Sequence, residues 1–325
     1  MTTCYITIDT EYDFGFTRRM GAHSRAENFQ RSIICAVGSA EAGIRYQMDV
    51  LDRHGLKAVF FIDPMPALVW GTAAIEDILR PILQRGHDVQ LHAHTEWLEL
   101  AGSANPLGKR TGMNIKDFSF EQQCLLLDYA KRVLVAAGAP VPVAFRAGNY
   151  GANDDTLRAL AAVGLRYDTS HCPGIDASAC AIGLTSSDRA VTERCGILEV
   201  PIGCIAAWRG GLRHAQMTAL SAAEMLAALR HCVARGIDCF TFVSHSFELL
   251  SRDRTRINKL VRRRFEVICA NMGAIPGLAT GTYAATPPRL PSRRTEPDSV
   301  TPFNPLRLGG RMASQALGNF LYGRR

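Results

Sequence analysis

What the 325 residues lack narrows the field first. Ten cysteines are present, but they are scattered from Cys4 to Cys269 with no C-x-x-C pair. Neither a zinc ribbon nor a redox dithiol is therefore encoded, and in a reducing compartment these residues read as small buried hydrophobes. No apolar run approaches the roughly 18–20 residues of a membrane span. No glycine-rich loop follows the first strand-like segment, which counts against a dinucleotide or P-loop site. The body of the chain carries no basic patch interleaved with aromatics, so no nucleic-acid partner is expected. The opening MTTCYITIDTEYDF has no basic leader and reaches an acid at Asp9. It does not read as a signal peptide, and a cytoplasmic location is expected. No internal repeat is visible.

What is there is an ordinary globular composition, 47% hydrophobic and 21% charged, with a net charge of +7. The charge is uneven: from Thr286 onward there are seven Arg, two acids and no Lys, so +5 falls in the last 40 residues. The pattern alternates strand and helix. YITID (5–9), LKAVFFID (56–63), HDVQLHAH (87–94), VPVAFRAG (141–148), LRYDTS (165–170), ILEVPIG (197–203) and CFTFVSHSFE (239–248) read as strands. Helices are expected over 39–55, 73–86 with a kink or break near Pro81, 120–138, 153–164, 221–236 and 254–273. This alternation predicts a parallel sheet covered by helices, open or closed into a barrel. Residues 1–283 are expected to form this unit. Residues 284–325 read as a Pro/Arg-rich linker followed by a basic tail. That tail either stays solvated or forms a short amphipathic helix, weakened by Gly309, Gly310 and Gly318, on an anionic surface or a partner.

The unusual polar residues fall where strands end. Asp9 and Glu11 close the first strand, His92 and His94 the third, Arg146 the fourth and His245 the last. Catalytic groups of parallel β/α folds gather at these carboxyl ends. Residues i and i+2 share a strand face, so Asp9 with Glu11, and His92 with His94, can point into one site. Two imidazoles and a carboxylate suit Zn²⁺, and Co²⁺, Ni²⁺ or Mn²⁺ are not excluded by ligand type. Either His94 or Glu96 can complete the set, depending on how the chain turns after the strand.

These segments resemble the motifs of the polysaccharide deacetylase family, the NodB-homology or carbohydrate esterase family 4 type, over about residues 3 to 275. TIDTE (7–11), GHDVQLHAH (86–94), FRAGNYG (145–151), LEVP (198–201) and FVSHSFEL (242–249) follow one another in the family's order and spacing. The resemblance implies a distorted (β/α)7 barrel of the α/β class. It implies one divalent metal ion, zinc first among the candidates, held by Glu11, His92 and a second residue of the same segment. It implies Asp9 as general base and Arg146 as the arginine that holds its carboxylate. Tyr150 would offer its backbone N–H to the oxyanion, and His245 would be the general acid. Glu199 would orient His245, and Val243 would line the pocket for the acetyl methyl. The chain departs from the family in three places. Glu96 stands where the second histidine of the metal pair is usual, and Gly148 stands where proline is common. The fourth motif lacks the usual acid-and-tryptophan pattern, with Trp208 only a loose substitute.

The expected activity is a metal-dependent carbohydrate N-deacetylase, acting on a small-molecule or lipid-linked N-acetylated sugar, with peripheral contact to the inner face of a membrane through the tail. Two alternatives stay open: a related hydrolase of a non-sugar C–N bond, and an inactive barrel serving as a glycan-binding or scaffold subunit.

Overall fold

The computed structural model describes residues 1–175, 179–291 and 300–323. Seven parallel strands form one curled sheet: β1 (Thr2–Thr10), β2 (Ala58–Ile62), β3 (Asp88–Ala93), β4 (Ala144–Ala147), β5 (Tyr167–Asp168), β7 (Ile197–Glu199) and β10 (Cys239–His245). In space the order is β10-β1-β2-β3-β4-β5-β7. The short antiparallel β6 (Thr192–Arg194) lies outside β7, and β11 (Leu278–Thr280) pairs with the start of β1. The edge of β10 is not left open. Gly203 N–H donates to Thr241 O at 2.9 Å, and Val243 exchanges bonds with Ala215 and Met217 on the chain beyond β7. This stretch bends the sheet around on itself and covers an edge that would otherwise be exposed. The result is the expected (β/α)7 barrel, incompletely closed.

Helices cover the outside: α1 (Phe14–Met20), α2 (Ile44–Arg53), α3 (Ala73–Gln84), α4 (Phe120–Ala136), α5 (Asp154–Ala162), α6 (Ala222–Arg235) and α7 (Lys259–Met272). Their start signals work as the sequence suggests. Ser221 accepts from the backbone N–H of Glu224 while the Glu224 carboxylate accepts from that of Ser221, a reciprocal capping box on α6. Two expectations change. α3 runs unbroken through Pro81, because Ile75, Ile78, Leu79 and Ile82 are buried on either side of it. α2 starts at Ile44 rather than 39, since residues 36–41 form a tiny hairpin ahead of it. A second hairpin, β8 (Cys204–Ala206) and β9 (Leu212–His214), had no signature in the sequence. None of the ten cysteines forms a disulfide, and none is exposed.

Strand periodicity sorts the core. On β1 Cys4, Ile6 and Ile8 face the helices in the main apolar cluster, while Tyr5, Thr7 and Asp9 take the opposite face, into the barrel. At the amino ends of the strands the interior is aromatic. Tyr283, just after β11, meets Tyr5 at 5.3 Å, Phe61 at 5.9 Å and Tyr167 at 5.4 Å between ring centroids. The tail also has a structure. After Asn304, which accepts from Arg307 N–H at 3.0 Å, residues Pro305–Tyr322 form helix α8 against the barrel. Of the expected linker, residues 292–299 lie outside the described residues. Among the described residues no helix is long and apolar enough to cross a membrane.

Candidate active site

Four strands, β1, β3, β4 and β10, deliver the site. The same inward parity that sets Tyr5 in the floor puts Asp9 at the upper end, and equivalent positions on the other strands supply His92, Arg146 and His245. Asp9 is almost completely buried, and its Oδ1 accepts from Arg146 Nη1 at 2.5 Å. Arg146 is fully buried as well. Its guanidinium lies 4.5 Å from the Phe61 ring centre, and its Nε donates to Thr169 O at 3.3 Å. In this buried pair each charge supplies the counter-charge that the other would lack in low dielectric.

Glu11, His92 and His94 converge beside this pair. One ligand atom from each lies within 4.8 Å of the others. Glu11 Oε2 is 3.3 Å from His92 Nε2 and 2.6 Å from His94 Nε2. The opposite ring nitrogens are both held by acceptors. His92 Nδ1 is 2.7 Å from Arg146 O, and His94 Nδ1 is 2.8 Å from Glu96 Oε2. A carbonyl and a carboxylate can only accept, so each Nδ1 carries its proton and a neutral ring turns its Nε2 lone pair toward Glu11. The buried Glu11 Oε2 faces these two ring nitrogens and no other polar partner among the described residues. Three electron-pair donors facing one another are an arrangement that a divalent cation resolves. Two imidazoles and a carboxylate, with the imidazoles oriented through their far nitrogens, fit that ion.

The alternative left open by the sequence is thereby decided in geometry: His94 belongs to the cluster, and Glu96 stands behind it. Without a cation, burial opposes a charge on His94, but Glu11 and Glu96 outweigh it and hold its pKa well above the ordinary 6.5. Glu11 is correspondingly held well below the usual carboxylate range, since the two imidazoles outweigh its own desolvation. Gly148 explains how His94 fits. A side chain at 148 would meet Ala93 O and His94 Nδ1 at 2.8 Å each, so the missing Cβ makes room for the imidazole.

His245 occupies the other side. Its Nε2 is 3.9 Å from Asp9 Oδ2, and its Nδ1 pairs with Glu248 Oε2 at 3.0 Å. The second oxygen of Glu248 accepts from Gln216 Nε2 at 2.9 Å and from Thr218 Oγ1 at 2.5 Å. Burial alone would discharge His245, but Glu248, Asp9 and Glu11 raise its pKa to about 9, so it is an imidazolium at neutral pH. Val243, two residues earlier on the same face, is buried with Cys172 and Ile202 against Tyr150. Asn149 and Tyr150 both adopt left-handed backbone, with φ of 55° and 57°, which presents this turn to the site at some conformational cost.

One expected role is not where the sequence put it. Glu199 does not reach His245. It is fully buried, accepts from His171 N–H at 2.9 Å, and lies against Asp168. Burial and the Asp168 charge push it well above the ordinary carboxylate range. The residue that orients His245 is Glu248, three positions further along its own chain. Asp63 was also missed. It ends β2 as Asp9 ends β1, and its Oδ1 accepts the backbone N–H groups of Met65 at 3.0 Å and His94 at 3.3 Å. Burial pushes its pKa up to about 6 against the pull of the two histidines. The strand-end rule that picked out Asp9 applies equally to the FFID segment and would have found it.

No family model and no curated protein matches the chain in sequence. Solved structures match it in shape. A Mycobacterium smegmatis protein assigned as a polysaccharide deacetylase covers 90% of this chain and 96% of its own, with 16% identity and a TM-score of 0.53. The chain has the polysaccharide deacetylase fold. The 4-alpha-glucanotransferase of Thermococcus litoralis also matches, at 12% identity and a TM-score of 0.53, over 89% of this chain and 42% of its own. A family 4 carbohydrate esterase from Streptomyces lividans, solved with acetate, matches at 13% identity and a TM-score of 0.43, over 86% of this chain and 92% of its own. Because this one barrel type includes both deacetylases and a glucanotransferase, the reaction must be argued from the site.

Proposed function

We propose that the chain is a metal-dependent hydrolase that removes an N-acetyl group from a sugar. The observation that carries this reading is the convergence of Glu11, His92 and His94 between two charged pairs, Asp9–Arg146 and Glu248–His245. Amide hydrolysis needs an activated water, a polarised carbonyl and a protonated leaving nitrogen. A divalent ion bound by Glu11, His92 and His94, with Zn²⁺ first and Co²⁺, Ni²⁺ or Mn²⁺ as alternatives, supplies Lewis acidity for the first two.

The remaining work falls to the protein. Asp9, held through Oδ1 by Arg146, accepts the proton of the attacking water at its other oxygen, Oδ2. His245 carries its proton on Nε2, facing the same space, and delivers it to the departing amine nitrogen. Glu248 holds the far side of that ring and replaces the bulk solvent that would otherwise stabilise the imidazolium. Tyr150, on its left-handed turn, supplies a backbone N–H for the developing oxyanion, and Val243 closes an apolar niche for the acetyl methyl. Residues 1–283 are the catalytic unit in this reading, and 284–325 are an appended segment. The substrate class is a small-molecule or lipid-linked N-acetylated sugar, and the site of action is the cytoplasm.

The test is metal content and acetate release by the same preparation. Wild type should hold about one equivalent of a divalent ion and release acetate from an N-acetylated sugar, and His92→Ala should lose both. A wild type that binds no divalent ion after reconstitution sinks the proposal and leaves the non-catalytic barrel standing.

A further inference from the structure

Helix α8 is inside out. Its one buried residue is Arg311, 6% exposed, whose Nε donates to Glu224 Oε1 at 3.1 Å and whose Nη1 donates to Gln315 at 2.9 Å. Arg264 reaches Ser314 on the same side, and Arg256 lies over the Tyr322 ring. The polar side of the helix is thus its docking side. The opposite side is apolar and faces outward, with Leu306 85% exposed, Phe320 72%, and Met312, Leu317 and Leu321 exposed as well. At 100° per residue Leu306, Ala313, Leu317, Phe320 and Leu321 fall within one arc of about 100°. Gly309 and Gly310 lie in the same exposed strip, so the helix surface there is smooth and uncharged. A helix held by a buried Arg–Glu pair while its leucines and phenylalanine face outward is oriented for something other than its own core.

The helix lies along the rim at the carboxyl ends of the strands. Its partners are the first turn of α6 (Glu224), the opening turns of α7 (Leu260 and Arg264) and the loop after β10 (Arg252 and Arg256). That loop begins one residue beyond His245. Trp208 at the tip of the β8–β9 hairpin, 61% exposed, stands against Phe303 just ahead of the helix. The described residues 300–323 hold Arg307 and Arg311 and no acid, and the loop beside the helix adds Arg252 and Arg256. An apolar strip with arginines around it and an amphipathic tryptophan at its end matches the headgroup boundary of an anionic bilayer.

We propose that α8 docks the protein on an anionic lipid surface, with the catalytic rim turned toward it. The contact is peripheral, one helix deep, and brings the site mouth to substrates held at the membrane. It stands on α8 and its surroundings and does not depend on the reaction proposed above.

Flotation with vesicles tests it, using the full-length protein and mixed phosphatidylglycerol–phosphatidylcholine vesicles beside pure phosphatidylcholine. Wild type should float with the mixed vesicles, less so at high salt and less so with phosphatidylcholine alone. Leu317→Asp and Phe320→Asp should each weaken binding at least about tenfold, the loss expected when one buried apolar side chain is replaced by a charge. Both side chains are exposed, so thermal stability and metal content should stay as in wild type, which separates this outcome from failure of the active-site reading. No flotation of wild type, or flotation untouched by both variants, overturns the proposal. So does a wild-type dimer in light scattering that Phe320→Asp dissociates with no vesicle binding, which would assign the strip to a second copy of the chain.

Discussion

Tyr5 and Asp9 leave the same strand on the same face, two pleats apart, and enter opposite worlds. Around Tyr5 the barrel interior is aromatic: Phe61, Tyr167 and Tyr283 close the floor ring against ring. Around Asp9 it is ionic, with Arg146, Glu11, His92 of β3, His94 just after that strand, and the His245–Glu248 pair. Both ends are buried, but they are held by different physics. The floor gains from removing ring surface from water and from edge-to-face contact. The upper end pays the desolvation of several charges and recovers it only because each finds its counterpart. The lesson is that the floor is held by ring packing, whereas the upper end keeps poised charges that chemistry can use.

The largest expected effect comes from breaking the upper end at its centre. Asp9→Asn should lower kcat by about 10²–10⁴. It should also cost about 3–5 kcal/mol of stability, since Arg146 then carries a buried charge with no anion. A variant that unfolds at the wild-type midpoint in urea would show that the pair is not coupled as described. The matching break in the floor is Tyr283→Ala. It should cost about 3–5 kcal/mol through the cavity it leaves, with kcat per folded molecule unchanged; a loss of kcat without loss of stability would contradict the division of labour.

Smaller effects sharpen the upper end. Glu96→Gln removes the carboxylate behind His94 and should weaken metal affinity about 10–100-fold, measurable by competition with a chromophoric chelator. Unchanged affinity would mean that Glu96 does not orient the ligand. Glu248→Gln is expected to act mainly through pH. With Glu248 in place the pKa of His245 is about 9, so activity that requires the imidazolium falls on an alkaline limb near pH 9. The variant should move that limb down toward the ordinary 6.5. The sign for stability follows from the same shift. A folded-state pKa above the unfolded 6.5 gives a stabilisation that is complete below pH 6.5 and is lost as the pH rises through about 9. A wild-type alkaline limb that Glu248→Gln leaves in place would exclude Glu248 as the group that holds the proton.

The site was legible in part because strands alternate. A period of two makes D-x-E and H-x-H statements about direction as well as composition, and Asp9, His92, Arg146 and His245 do meet in one space. Glu199 was misread for the opposite reason. Its strand is short, and whether it reached His245 or Asp168 depended on how far the sheet had curled by β7. Glu248 lies beyond the strand, in a turn whose direction no periodicity reports. Helix α8 shows the same limit: composition left a solvated tail and an amphipathic helix both open, and nothing in it said that the arginine side would face inward.

The sequence by itself determined the order of strands and helices, the strand ends that carry polar groups, and the residue types competent to bind a metal and move protons. These are local properties, set by periodicity, capping and side-chain chemistry. Tertiary structure alone decided that His94 rather than Glu96 joins Glu11 and His92, that Gly148 makes the space for it, that Glu248 rather than Glu199 holds His245, and which face of α8 meets solvent. Each of those choices depends on where the curled sheet brings distant strand ends together, and distance through space is not written in spacing along the chain.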